Sequence, residues 1–166
     1  MNKKEKFIEL YKLNSEPLER YALNLTRNRI DAEELCAETI YIAYTTFDKL
    51  NSEIAFLSYL FTIARRLFFK NKRKFKNHTN VFSPDLISVS EVHIENKVDI
   101  IFLYEQLDKL EEQTKDAIIL AEIFGFKHSE IAEMHGTNTN NIKVKIHRGK
   151  EKLKELLETK EVKSNG

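Results

Sequence analysis

From Phe56 to Lys74, apolar residues recur at helical steps, and Phe56, Leu57, Leu60, Ile63, Ala64 and Leu67 line one side of a single helix as a stripe fit for burial. The opposite side lacks the usual mixture of Glu and Lys. Tyr59, Thr62, Arg66, Phe69, Lys70 and Arg73 follow the same spacing on a second face, so rings alternate with cations. Rings stack on unpaired bases at roughly 1–3 kcal/mol each while Arg and Lys neutralise phosphates, a combination that suits single-stranded or melting nucleic acid. Periodicity alone leaves a plainer reading open. In it, Tyr59 and Phe69 edge a wide core, and Lys70 to Lys76 is a solvated helix end whose cations complement the macrodipole.

Upstream, Ile30 to Leu35 reads as a helix start. Asp31 is placed to cap, Glu34 three residues later completes a pair like a capping box, and Ile30 can staple to Leu35. The pattern then puts Leu35, Thr39, Ile42, Ala43 and Phe47 inside and Glu34, Glu38 and Tyr41 outside. Phosphate is repelled by Glu33, Glu34 and Glu38, so an acidic helix beside a basic one implies a protein partner as well as nucleic acid. The alternative is that these carboxylates only cap the helix and complement its dipole.

Near the C-terminus the order is that of a helix-turn-helix. A short helix from Phe126 ends in Gly136 at the turn, and Asn138 caps a second helix running from Thr139 towards Leu157. Ile142, Ile146, Gly149 and Leu153 form its inward stripe. Asn140, Lys143, Val144 and His147 point outward near its start, where a recognition helix meets base edges, and Arg148 and Lys150 flank them for phosphates. A simple pair of packed helices with a Lys-rich face is the competing reading. Gly149 within that helix should cost about 1 kcal/mol relative to Ala unless packing needs the space.

Between the two helical blocks, Thr79 to Glu91 has no helical period, holds Pro84 and is acidic. A structureless loop of that length is unusual inside one domain. The expected architecture is therefore all-α: a first helical domain at 1–78, a flexible linker at 79–98, a helix-turn-helix domain at 99–160 and a tail at 161–166. Four glycines and two prolines, Pro17 and Pro84, punctuate the chain, β-branched alternation is nowhere sustained, and no sheet is expected.

A hydrophobic fraction of 42% over 166 residues is enough for real cores. The net charge of +1 conceals an uneven distribution. Residues 1–78 hold 15 Lys and Arg against 10 acids, residues 79–99 hold 1 against 4, and residues 100–166 hold 11 against 12. Two basic patches emerge: Arg65 to Lys76, with no acid, and Lys143 to Lys154, with only Glu151 between its cations. Cys36, the sole cysteine, excludes internal disulfides and cysteine-rich zinc sites and is expected to be inert. His78, His93, His128, His135 and His147 show no metal-ligand spacing and read as surface or boundary residues. No metal and no cofactor are expected. With no signal peptide or long apolar run, the chain reads as cytoplasmic, with no membrane partner. Nucleophile elbow, P-loop and metal-cluster motifs are all missing, so no catalytic residue is assigned and an enzyme is not expected.

Several segments, in order along almost the whole chain, resemble the extracytoplasmic-function sigma factors, the smallest members of the major bacterial sigma superfamily. Asp31-Ala32-Glu33-Glu34-Leu35-Cys36-Ala37-Glu38-Thr39 is similar to that family's D-A-E-D-L-x-Q-E-x segment, and Tyr59-Leu60-Phe61-Thr62-Ile63-Ala64-Arg65 to its W-L-x-x-I-A-R. Leu107-Asp108-Lys109-Leu110 and Glu130-Ile131-Ala132-Glu133-Met134, with Lys143, His147 and Arg148, resemble its second domain.

The resemblance implies a factor that binds core RNA polymerase, directs it to promoters and assists duplex opening. By position, Asp31, Glu34, Leu35 and Glu38 inherit docking on the polymerase clamp. Asp48, Lys49 and Asn51, in the turn with Leu50 and Ser52, match the loop that selects a flipped base of the minus-ten element. Tyr59, Thr62, Arg65, Arg66, Phe69, Lys70 and Arg73 face the opened strand, whose extruded bases are paid for by pockets and stacking. Asn138, Thr139, Asn140, Lys143, His147 and Arg148 match the reader of the minus-thirty-five element in a domain seated on the polymerase flap. The linker would thread the polymerase interior.

Departures from the pattern are Ala37 for Gln, Tyr59 for Trp, Arg66 for Asn, Lys70 for Asp, Glu111 for Pro, Thr137 for an apolar residue and Gly149 for Ala. The near-neutral second domain implies a weak unaided grip on DNA, which leaves room for a DNA-bound recruiting protein. An anti-sigma factor is a further partner to look for. A monomer is expected. The alternative, an autonomous helix-turn-helix regulator, needs paired half-sites and a two-fold interface. No dimer stripe is evident, and the strand-facing helix would go unexplained.

Overall fold

Asn2 opens the first helix. Its side chain accepts the Glu5 N–H at 2.8 Å, and the Glu5 carboxylate accepts the Asn2 N–H at 3.4 Å. In this computed structural model residues 1–76 and 94–164 are described, and the chain divides into two units, Met1–Ser90 and Glu91–Gly166. All regular structure among the described residues is helical.

The first unit comprises α1 (Lys3–Thr26), α2 (Arg29–Thr45), two 3-10 turns (Phe47–Lys49 and Glu53–Ala55), α3 (Phe56–Lys70) and α4 (Lys72–Lys76). Pro17, expected as punctuation, lies inside α1. An interior proline costs about 3 kcal/mol or more, and α1 runs through it because Phe7 on one side and Leu18, Tyr21 and Ala22 on the other are all buried. Arg27, with a left-handed φ of 56°, ends α1 and donates its N–H to the Leu23 carbonyl at 2.9 Å.

Asn28 then caps α2 by accepting the Asp31 N–H at 3.1 Å. The expected cap at Asp31 is thus displaced by three residues, because the chain already turns at Arg27. Asp31 sits buried in the first helical turn, and Ile30 is 75% exposed rather than stapled.

Aromatic rings make much of this core. Phe7 meets Tyr44, Phe47 and Phe56 edge-on at 5.3, 5.4 and 5.6 Å, and Tyr21 stacks on Phe61 at 4.3 Å. The stripe read from sequence holds at Phe56, Leu60, Ile63 and Ala64, but Phe61, Arg65 and Phe68 are buried too, so α3 is packed around more of its girth. The helix also does not continue to Lys74. It stops at Asn71, and α4 turns back so that Phe75, 1% exposed, stacks against Phe68 at 6.0 Å.

The second unit contains α5 (Ile94–Leu107), α6 (Glu112–Ile118), a π turn (Ile119–Ile123), α7 (His128–His135) and α8 (Thr139–Ser164). The end of the expected linker, 94–98, belongs to α5, and the expected tail continues α8 to Ser164, since Lys160 to Lys163 offers no helix breaker. The remainder of the linker, including Pro84, lies outside the described residues, as does His78.

This core is largely aliphatic, built from Leu107, Leu110, Ala117, Ile118, Leu120, Ile131, Met134, Ile142 and Ile146. At Gly149 α8 approaches α6 so closely that a Cβ would stand 2.5 Å from Thr114 Cγ2 and 2.7 Å from Ile118 Cδ1. The packing does need the space. His135, read as a surface or boundary residue, has a side chain only 3% exposed, with Nε2 2.8 Å from Asp116 Oδ2. It ties α7 to α6 just before the left-handed Gly136.

Candidate nucleic-acid interface

Lysines of α1 form exposed ion pairs with the two 3-10 turns between α2 and α3. Lys3 Nζ reaches Asp48 at 3.0 Å and Lys6 Nζ reaches Glu53 at 2.6 Å. Phe47 plugs the first turn into the core, and Ser52 caps the second by accepting the Ile54 N–H at 3.3 Å. Lys49 and Asn51 are exposed between these anchors, as is Asp48 despite its partner. Lys3 and Lys6, absent from the sequence-based site, therefore lie against this loop. Their spacing on α1 gives no hint of it, because the partners lie more than forty residues away.

The face read from α3 is sorted by the fold. Arg66 and Lys70 are exposed on α3 and Arg73 on α4, with no ion pair to any described residue. Arg65, grouped with them by the resemblance, is instead 8% exposed, with its guanidinium 5.0 Å from the Phe69 ring centre. Phe69 is half-buried. It meets Phe68 edge-on at 5.2 Å and has Lys72 Nζ 5.3 Å from its centre, so the ring organises cations rather than standing open to a base.

Tyr59 is turned inward, its hydroxyl bonded to the Thr46 hydroxyl and, at 3.3 Å, to the Ala43 carbonyl. Thr62 donates to the Ser58 carbonyl at 2.7 Å. Both anchor α3. The inward turn of this ring did not follow from its spacing, since its partners come from the end of α2 and from Thr46 just beyond it.

On α2, Glu34 and Glu38 project outward with Tyr41, which is 70% exposed, while Leu35 is fully buried and Asp31 is 2% exposed. Asp31 and Leu35 thus support the acidic face from within. One cation that the sequence reading left out of the site bridges the acid pair: Lys74 Nζ lies 2.8 Å from Glu34 and 2.7 Å from Glu38. Hydrogen bonds to Glu34 and then Glu38 raise its pKa above the ordinary lysine value. Cys36, buried behind this face, has its thiol pushed up to about 12 by burial and by Glu19 and Glu33, which makes it a poor nucleophile.

In the second unit Asn138 caps α8, accepting the Asn141 N–H at 2.8 Å, and Thr137 accepts from the Asn141 side chain at 2.9 Å. That bond gives the hydroxyl of Thr137 a use where the resemblance expects an apolar group. Asn140, Lys143, His147 and Arg148 are exposed along α8, and Thr139 is half-buried. Of these, His147 Nε2 lies 3.1 Å from Glu151. Lys150, read as a phosphate contact, is paired with Glu122 from the π turn. Glu111 precedes α6 and accepts the N–H groups of Gln113 and Thr114 at 3.1 and 3.2 Å. Its desolvation alone raises the pKa, but these bonds and Lys145 hold it below the ordinary carboxylate value.

Among the described residues no group of three or more His, Cys, Asp or Glu is placed to hold a metal ion, and no helix is long and apolar enough to cross a membrane.

Comparison with known proteins agrees with this division. Residues 10–77 match the family described as Sigma-70 region 2, and residues 103–153 match Sigma-70, region 4. The chain is 30% identical over 142 residues to the RNA polymerase sigma factor SigV of Bacillus subtilis (strain 168), an alignment covering 86% of this chain and 84% of that protein. It is 28% identical over 146 residues to the ECF RNA polymerase sigma factor EcfG of Rhodopseudomonas palustris (strain TIE-1), covering 84% and 78%. Its fold is similar to that of the sigma factor RpoE, solved in complex with the anti-sigma factor NepR from Bartonella quintana, with a TM-score of 0.76 at 24% identity over 93% of this chain and 98% of that one. CnrH, solved in complex with the cytosolic domain of CnrY, gives a TM-score of 0.71 at 18% identity over 94% and 90%. Two sigma-70 regions in order, on two helical units with these basic faces, place the chain in the extracytoplasmic-function sigma factors of RNA polymerase, which are transcription initiation factors and not enzymes.

Proposed function

We propose a division of labour for initiation in which the first unit docks on polymerase and handles the opened minus-ten strand while the second reads the minus-thirty-five duplex. The observation that carries it is that the first unit presents acids and cations on different helices, Glu34 and Glu38 on α2 and the exposed Arg66, Lys70 and Arg73 on α3 and α4. Glu34 and Glu38 meet the polymerase clamp, with Asp31 and Leu35 holding α2 in place behind them. Arg66, Lys70 and Arg73 track strand phosphates, the tethered loop from Asp48 to Asn51 meets an extruded base, and Tyr59, Thr62, Arg65 and Phe69 fix the helix that carries the cations.

Asn140, Lys143, His147 and Arg148 face the major groove from the start of α8, with the capped turn at Asn138 and Thr139 against the backbone. A first domain at 1–78, a second that takes in α5 to α8, work in the cytoplasm and regulation by an anti-sigma factor belong to the same reading. The last draws support from RpoE and CnrH, the former solved with an anti-sigma factor and the latter with a cytosolic domain of CnrY.

Run-off transcription with purified core polymerase and a library of promoter-like fragments tests it. Discrete transcripts that depend on the protein and vanish with Glu34→Lys/Glu38→Lys are expected, with the variant still helical by circular dichroism. Retained co-elution of that variant with polymerase would remove the docking role. Polymerase binding without transcripts would favour delivery by a DNA-bound recruiting protein.

A further inference from the structure

Lys74 belongs by sequence to the basic run that continues from α3, yet its ammonium is turned onto the acids of α2. Glu34 and Glu38 stand one helical turn apart, and Lys74 Nζ sits between them at 2.8 and 2.7 Å. The three side chains are 46%, 44% and 34% exposed, in that order, so water and another cation can reach the contact. Ion pairs this open are weak and exchange readily. The backbone beneath Lys74 is fixed independently. Phe75, 1% exposed, stacks on Phe68 and pins α4. The Lys74 ammonium also lies 5.7 Å from the centre of the Phe75 ring, so its release gives up that contact together with the two carboxylates but needs only a change of side-chain rotamer, with α4 left in place beside Lys72 and Arg73.

We propose that Lys74 is an intramolecular latch. In the free protein it occupies the Glu34–Glu38 pair. A cationic polymerase surface that takes over those carboxylates releases it to the nucleic-acid face, where it joins Lys70 and Arg73 on phosphate. Binding of polymerase and binding of single-stranded DNA then favour each other, and by linkage the coupling is the same in both directions. The proposal rests on the docking role given to the acid pair above. It adds a consequence that role alone does not have: in the free protein a single side chain competes for the acid pair and is withheld from the nucleic-acid face.

The test is a double-mutant cycle on the full chain, read by fluorescence anisotropy with a labelled oligo-dT strand across a salt series. Glu34→Gln/Glu38→Gln should tighten oligonucleotide binding by about fivefold at 0.1 M salt and steepen the salt dependence by about 0.7, the value of one added phosphate contact on a single strand. Lys74→Met should abolish that gain. An equal gain in the Lys74→Met background would make it a general charge effect and overturn the latch.

Core polymerase affinity provides the second arm. Lys74→Met should bind core a few-fold more tightly, since no internal cation competes, whereas Glu34→Gln/Glu38→Gln should bind it more weakly. Weak core binding by the Glu variant with unchanged binding by Lys74→Met would leave docking standing and remove the latch. Unchanged core binding by the Glu variant would remove the docking role itself and the coupling with it. Thermal melts of all variants identify any that fail to fold, and Lys74→Gln then replaces Lys74→Met in the cycle.

Discussion

The helices α3 with α4 and α8 carry the two densest cation runs in the chain, but they are set into different cores and reach solvent differently. Helix α3 is gripped by rings: Phe56, Phe61 and Phe68 are buried, and Arg65 is drawn in against Phe69. Helix α8 is held by Ile142 and Ile146 and by contact across Gly149, where no side chain intervenes. Around α3 and α4, Lys74 is engaged by two acids, and Arg66, Lys70 and Arg73 make no ion pair with any described residue. On α8, Lys150 is matched by Glu122 from the π turn, and His147 Nε2 lies 3.1 Å from Glu151, while Lys143 and Arg148 are exposed. The number of cations in a segment is thus a poor measure of the charge it can offer to DNA. Neighbouring helices decide how many remain available.

The sharpest way to break the contrast between the cores is Phe61→Ala. A fully buried ring stacked at 4.3 Å on Tyr21 should cost about 3–5 kcal/mol, and calorimetry should show the first unit melting early while the second keeps its transition. In the second unit Gly149→Ala should reverse the expected gain of about 1 kcal/mol in helix propensity into a loss of about 1–3 kcal/mol from overpacking. Urea melts should recover most of that loss when Thr114→Ser and Ile118→Val trim the two clashing methyls.

Glu111→Ala should cost about 1 kcal/mol at neutral pH by removing the cap of α6. Because the folded pKa of Glu111 is lowered, its contribution is present above the ordinary carboxylate value of about 4.3 and fades as pH falls through the folded value. The urea midpoints of wild type and variant should therefore differ at pH 7 and converge at strongly acidic pH. The smallest effect sharpens the charge comparison. Glu122→Gln should raise duplex affinity about threefold by freeing Lys150, less than a full phosphate contact because that side chain is already 49% exposed. The gain should disappear in a Lys150→Gln background when binding is measured by anisotropy.

Features set by neighbours along the chain were legible in the sequence. Gly136 in the left-handed region and the cap at Asn138 are local devices, and both stand where the pattern put them. The inward positions Leu35, Thr39, Ala43 and Phe47 and the outward Glu34 and Tyr41 follow from the helical period. Where reading failed, a contact outside the helical period was responsible, distant in sequence for Tyr59 and close for the others. Tyr59 lost its outward role to the Ala43 carbonyl of α2, Arg65 was buried beside Phe69, and Asp31 yielded the cap to Asn28 because Arg27 had already turned the chain. The break at Asn71 came from Phe75 finding Phe68.

The sequence by itself determined an all-helical chain, its two halves, its helix-turn-helix and its two basic runs, because periodicity, caps and turns act over a few residues. Tertiary structure alone decided which cations stay available, why α8 carries a glycine at its crossing with α6, and that Lys74 closes over Glu34 and Glu38. Those outcomes depend on side chains from separate helices meeting within a few ångströms, a proximity that no local pattern encodes.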